Sequence, residues 1–119
     1  RANRLYLNEG PGPKGLPRFR EAAAEYGIAD TSYSTHAAFF DYDLDGDLDL
    51  YVLNHANQRS TLNTPLPRKL HGEGASTDHL YRNDGNAAQK PFTDVSEAAG
   101  IQIEGYGLGI AVTDINRDG

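Results

Sequence analysis

The apolar positions of this chain fall in short runs separated by turn residues. Residues 33–40 (YSTHAAFF) and 107–113 (GLGIAVT) are short, rich in small or β-favouring residues, and end at an acidic loop, a pattern that predicts strands. Residues 48–54 (LDLYVLN) are apolar on both faces apart from Asp49, which predicts a strand covered on both sides rather than one with a wet face. Residues 5–8 and 80–83 predict two further strands, each halted by a turn, Asn8-Glu9-Gly10 in one case and Asn83-Asp84-Gly85 in the other. Residues 92–95 predict another strand, and 96–99 a single helical turn stopped by Gly100. The matching EAAAEY before Gly27 is more helical still. Such a series of short strands and tight turns predicts an all-β fold.

The same elements occur twice. Leu5, Tyr6, Asn8 and Gly10 recur as Leu80, Tyr81, Asn83 and Gly85. The stretch from Phe19 to Gly27 and Ile28 recurs as Phe92 to Gly100 and Ile101. Tyr33 with Asp41-x-Asp43-x-Asp45-Gly46 recurs as Tyr106 with Asp114-x-Asn116-x-Asp118-Gly119. The order of the three blocks is kept, so the chain reads as one unit of about 73 residues met twice, the second ending inside its acidic loop. Residues 56–77, with two prolines and two glycines and no periodicity, read as a loop inserted between two strands; loops of that length serve binding or are disordered, and a tolerated surface insertion is an equal alternative here. Residues 10–17 form the irregular connection of the first unit.

Charge narrows the partners. At 119 residues the chain is the size of one domain, and its 38% hydrophobic content is compatible with a core. A net charge of −6 with no Lys/Arg cluster argues against nucleic acid, and makes a cation the natural counterpart. With no cysteine, disulfides and thiolate-bound metals are excluded. No apolar run is long enough for a membrane-spanning helix. The chain begins at Arg1 and reads as a piece of a longer protein.

The chemistry concentrates in FDYDLDGDLDL, where Asp41, Asp43, Asp45, Asp47 and Asp49 occupy alternate positions. Two carboxylates about 4 to 5 Å apart repel by roughly 3 to 4 kcal/mol at an effective dielectric near 20, so a loop that converges several of them calls for a cation. All-oxygen ligands select a hard ion. With Gly46 for the sharp turn, the side chains of Asp41, Asp43, Asp45 and Asp49 and a main-chain carbonyl near Asp47 supply the six or seven oxygens that Ca²⁺ accepts, and the stricter octahedron of Mg²⁺ fits less well. An EF-hand is excluded, because its twelfth residue must be a bidentate glutamate and here it is Val52, and because flanking helices are lacking. Dockerin-like loops need closer pairing and helices, and thrombospondin-type repeats need cysteines. A solvated turn with no metal is the simpler alternative, against which stand the alternation with Tyr42, Leu44 and Leu48 and the recurrence of the motif.

The string YSTHAAFFDYDLDGDLDLYVLN, followed by DHLYRNDG and FTDVSEAAGI, resembles the FG-GAP or VCBS repeats of integrin-α-type β-propellers, and more narrowly the bacterial relatives of cartilage acidic protein that carry an ASPIC/UnbV segment. The resemblance covers nearly the whole chain outside residues 10–18 and 56–77. It implies four-stranded blades, with residues 1–30 giving the last two strands of one blade and a short helix, 31–100 a complete blade, and 101–119 the first strand of the next. It implies Ca²⁺ held by the side chains of Asp41, Asp43, Asp45 and Asp49 and the carbonyl of Asp47, with Asp114, Asn116 and Asp118 beginning a second site. It also implies a secreted or cell-surface bacterial protein that mediates adhesion or binds a protein or glycan ligand. A propeller closes with about four to eight blades, so a fragment of one is expected to cover its edges by self-association.

No GxSxG, HExxH, Walker loop or CxxC is present, so the chain is not expected to be an enzyme. The alternative is a part of a carbohydrate-active protein, since some propellers of this type occur in such enzymes. Of the four histidines, His36 and His55 are scattered, His36 reading as a packed or rim residue, whereas His71 and His79 flank the inserted loop and could touch a ligand.

Overall fold

The structure is a computed structural model and describes residues 2–56, 67–85 and 90–116. Its centre is a four-stranded antiparallel sheet in which every strand pairs with its neighbour in sequence: β3 (Ser34–Phe40), β4 (Asp49–Asn54), β5 (His79–Asn83) and β6 (Phe92–Asp94). Before it come β1 (Tyr6–Pro11) and β2 (Pro17–Glu21), paired as a two-stranded antiparallel sheet, and the four-residue helix α1 (Ala23–Tyr26). The fold is therefore all-β, with α1 the one α-helix among the described residues.

Two layers cover β4, which explains why its sequence is apolar on both faces. Leu50 and Val52 of β4, Tyr81 of β5 and Phe92 of β6 form one buried cluster with Ala23 and Ile28, against which Leu5, Tyr26 and Ala29 also pack. Ala23, Tyr26 and their neighbours Leu5, Ile28 and Ala29 come from the first unit, so α1 and the segments flanking the β1–β2 hairpin lie on this face, while β2 itself is exposed throughout. The extended segment 104–113 lies on the other. Tyr106 sits edge-on to His55 with ring centroids 5.3 Å apart, Gly107 lies against the Leu53 side chain, and Thr35 donates its hydroxyl hydrogen to the Gly107 carbonyl at 2.8 Å. Burial on both faces leaves Leu80 only 2% exposed beside Tyr81 at 5%.

The two similar stretches of sequence make matching hydrogen bonds. Tyr6 pairs with Glu21 and Asn8 with Phe19, and in the same register Tyr81 pairs with Asp94 and Asn83 with Phe92. The Ala22 amide donates to the Leu5 carbonyl at 2.8 Å, and the Val95 amide to the Leu80 carbonyl at 2.9 Å. Each hairpin is followed by a turn closed in one way: Tyr26, Gly27 and Ile28 donate to Ala22, Ala24 and Ala23, as Ala99, Gly100 and Ile101 donate to Val95, Glu97 and Ser96. The glycine that stops each turn has a positive φ, +84° at Gly27 and +76° at Gly100, the left-handed conformation that ends a helix.

Some elements differ from the expectation. The first connection is shorter than 10–17, because β1 runs on to Pro11 and β2 begins at Pro17. The helix occupies Ala23–Tyr26 rather than all of EAAAEY, since Glu21 is taken into β2. Residues 107–113 are not a strand. They have the composition of one, but β3 is a strand because β4 pairs along it, and no ladder partner lies beside 107–113 among the described residues.

Candidate metal centre

The acidic loop joins β3 to β4 at their paired ends, where Phe40 lies opposite Asp49. That register brings the first and last aspartates of the series together. One carboxylate oxygen each of Asp41, Asp43 and Asp49 lie within 4.8 Å of one another. Oxygens bound to one Ca²⁺ at 2.3 to 2.6 Å can be at most about 5 Å apart, so this spread fits a single coordination sphere.

Asp49 is fully buried and is held on both oxygens. Its Oδ2 accepts the Tyr42 amide at 2.6 Å and its Oδ1 the Asn83 amide at 2.8 Å, so it ties the loop to the end of β5. The Asn83 side-chain amide adds a bond to the Leu48 carbonyl at 3.3 Å. Asp41 Oδ2 accepts the Gly46 amide at 3.1 Å, and Asp45 Oδ1 accepts the Asp47 amide at 3.0 Å. Two oxygens remain without a hydrogen-bond partner although they are buried, Asp41 Oδ1 and Asp47 Oδ1. A buried polar atom left unpaired costs free energy, and an acceptor-only carboxylate can be satisfied only by a proton donor or a cation.

The backbone of the loop is strained to make this arrangement. Leu44 sits at φ +62°, a left-handed conformation that costs a non-glycine residue about 1 to 3 kcal/mol. Gly46 at φ +94° has open space around it, so it is its backbone conformation that calls for glycine there. Electrostatics adds to the cost. Loss of water contact raises the pKa of Asp47 above the ordinary carboxylate value, and Asp45, Asp49, Asp43 and Asp41 push it further in that direction. Arg82 feels Asp43 and Asp49 but makes its ion pair with Asp84 instead, at 2.7 Å. The donor set is all oxygen, buried acceptors wait unpaired, and the charge lacks a cationic side chain among the described ion pairs, so the residues fit a hard divalent cation.

Of the residues expected to bind, Asp41, Asp43 and Asp49 meet, while Asp45 and Asp47 lie in the loop outside that trio. Asp114 and Asn116 lie in an exposed stretch at residues 114–116, and Asp114 belongs to no such group of acids and histidines among the described residues. Asp118 lies outside the described residues, as do residues 57–66 of the inserted loop.

Sequence reasoning overlooked three other carboxylates with structural roles. Asp78 accepts the Asn54 amide at 2.7 Å and the Tyr51 hydroxyl at 2.8 Å; burial, then this bond and the Asp78 charge, raises the pKa of Tyr51. Asp94 accepts from both the amide and the hydroxyl of Ser96 and lies 2.9 Å from His79 Nδ1. Burial pushes the Asp94 pKa up, but the Ser96 and His79 bonds outweigh it and leave it lowered. Glu104 accepts the Lys69 amide at 3.0 Å, the main cause of its lowered pKa, and the Ser76 hydroxyl at 3.1 Å. A signal existed for Asp78, which stands where Asn3 stands before the first Leu-Tyr pair, but Glu104 has none.

No family model, curated protein or solved structure matches the chain. None of its helices is long and apolar enough to cross a membrane, among the described residues.

Proposed function

We propose that the chain is a calcium-stabilised repeat module: a stretch of a β-propeller of the FG-GAP or VCBS type, with β3 to β6 as one blade, from a secreted or cell-surface bacterial protein. In this reading its loops bind a protein or glycan ligand and it turns over no substrate. The observation that carries the proposal is the meeting of the Asp41, Asp43 and Asp49 oxygens within 4.8 Å in a loop whose Asp41 Oδ1 and Asp47 Oδ1 are buried and unpaired. Asp41, Asp43 and Asp49 would hold the ion, which would neutralise their mutual repulsion and fasten the β3–β4 turn to β5. The matching hydrogen bonds of the two hairpins support the repeat. So does the exposure of Tyr6 and Phe19 on one outer layer and of Leu108 and Val112 on the other, as in a stack whose neighbours cover its ends.

Thermal unfolding with Ca²⁺ or Mg²⁺ tests it. Calcium is expected to raise the melting temperature well above the effect of magnesium, with about 2.7 kcal/mol of added stability at a hundred times its dissociation constant. Asp43→Ala is expected to lose most of that gain, and Asp45→Ala less of it. Absence of a calcium-selective shift at millimolar concentration, the weak range of extracellular modules, would sink the proposal.

A further inference from the structure

The two hairpins are alike in sequence and register and differ in what covers them. Tyr81 and Phe92 of the β5–β6 hairpin are 5% and 8% exposed, whereas their counterparts in the β1–β2 hairpin, Tyr6 and Phe19, are 53% and 59% exposed. Tyr6 lies opposite Glu21 and Asn8 opposite Phe19, so Tyr6 and Phe19 project from one face of their hairpin, as Tyr81 and Phe92 do from theirs. Contiguous apolar surface of this kind marks an interaction site.

The chain itself shows what fits such a face. Tyr81 and Phe92 are buried against the turn of the preceding unit: Ala23 and Ile28 share a cluster with them, the Tyr26 ring stands 6.2 Å from that of Phe92, and a Cβ on Gly27 would lie 2.9 Å from the Phe92 carbonyl oxygen. The second unit carries the same turn at residues 95–101, closed by the same hydrogen bonds. Its outer side is open. Gly100, the counterpart of Gly27, has no atom within 4 Å of where a Cβ would stand, and Glu97, Ala98 and Gly100 are exposed. One molecule thus holds a hairpin face without its turn and a turn without its hairpin face.

We infer that the 95–101 turn of one copy docks on the Tyr6–Phe19 face of a second copy, repeating between molecules the contact that Ala23, Tyr26, Gly27 and Ile28 make with Tyr81 and Phe92 within one. Charge favours the same pairing. Residues 1–28 carry five Lys or Arg and three acids, whereas 91–116 carry four acids and no Lys or Arg. Arg18 beside Phe19 and Glu97 on the turn make no ion pair among the described residues. Ala99 stands where Tyr26 stands, so the contact between copies lacks one aromatic ring and is weaker than the internal one. It joins two different surfaces, so it is heterologous and continues from copy to copy. The inference rests on the repeat in the proposed function and uses none of its calcium ligands.

Sedimentation velocity of the 119-residue chain over a concentration series tests it. The average mass is expected to rise with concentration past that of a dimer, and added salt to lower it. Phe19→Glu disables the hairpin face and Ala99→Glu the turn, and each alone is expected to associate at least about tenfold more weakly than the wild type. Mixed in equal amounts they still offer one intact turn and one intact hairpin face, and are expected to form a dimer that grows no further. NMR of the wild-type chain needs no variant: dilution is expected to shift amides within 5–8, 18–21 and 95–101. The inference is overturned if the wild type stays monomeric at millimolar concentration, or if dilution shifts fall outside these segments. It is also overturned if Ala99→Glu associates as the wild type does, the result expected of hairpin meeting hairpin. A calcium-selective melting shift without association overturns this inference alone, and association without such a shift overturns the calcium reading alone.

Discussion

Strand β4 begins and ends on a fully buried polar side chain, Asp49 at one end and Asn54 at the other, and the two ends solve the same burial problem differently. Asn54 is neutral, and its environment completes it. Its Oδ1 accepts the Ser34 hydroxyl at 2.8 Å, its Nδ2 donates to the Thr77 carbonyl at 2.8 Å, and Ser34 in turn accepts the Asn3 side-chain amide at 2.9 Å. Asp49 also has both oxygens bonded, to the Tyr42 and Asn83 amides, but its charge stands with Asp41 and Asp43 rather than against a cationic side chain. Hydrogen bonds can finish a neutral site; they finish a charged one only in part, because repulsion between the carboxylates remains. The Asn54 end is therefore a structural clamp that needs nothing from solution, and the Asp49 end is where, in the proposed reading, an ion would change stability.

Breaking the Asp49 end should have the largest effect. Asp49→Ala removes an acceptor from two backbone amides that lie at the junction of β3, β4 and β5, and bonds to charged groups contribute about 1.5 to 3 kcal/mol each, so urea unfolding should show a loss of about 3 kcal/mol or more. Breaking the other end comes next: Asn54→Leu leaves the Thr77 carbonyl without its donor and the Ser34 hydroxyl hydrogen without its acceptor, and should cost about 1 to 3 kcal/mol. The contrast lies in calcium. Calcium should still stabilise Asn54→Leu and should fail to stabilise Asp49→Ala.

A smaller effect sharpens the same contrast through pH. The pKa of Asp47 is raised in the folded, metal-free loop, so the folded state holds its proton more tightly than the unfolded state does. Its destabilising contribution is full above the raised value and disappears as pH falls toward the ordinary 3.8. Asp47→Asn is accordingly expected to raise the melting temperature of the metal-free chain slightly at neutral pH, with the gain vanishing near pH 4. Thermal melts across that range in chelator would contradict the account if the variant gained nothing at neutral pH, or gained equally at both.

Much of this was legible in the sequence, for reasons that differ by region. LDLYVLN gave away a strand covered on both faces because apolar residues at successive positions have no other use in a sheet. The aspartate series gave away its loop because like charges at alternate positions, with a glycine among them, are too costly for a regular element. What the sequence did not reveal was which aspartates meet. The spacing offers Asp45 as a side-chain ligand on a par with Asp41, Asp43 and Asp49, whereas the Phe40–Asp49 register joins the two ends of the series and leaves Asp45 outside the trio. Residues 107–113 failed for a complementary reason, since strand composition is not enough without a partner to bond. Glu104 was illegible because it acts across long sequence separations, on Lys69 and Ser76, and nothing in its neighbours marks it.

The central claim is that the Asp41–Asp49 loop is held for a hard divalent cation, and calorimetric titration of the metal-free chain with Ca²⁺ tests it most directly. The account predicts one site per chain at this loop, a much weaker response to Mg²⁺, and loss of the site in Asp43→Ala. A flat isotherm, or calcium heat unchanged in Asp43→Ala, would contradict it.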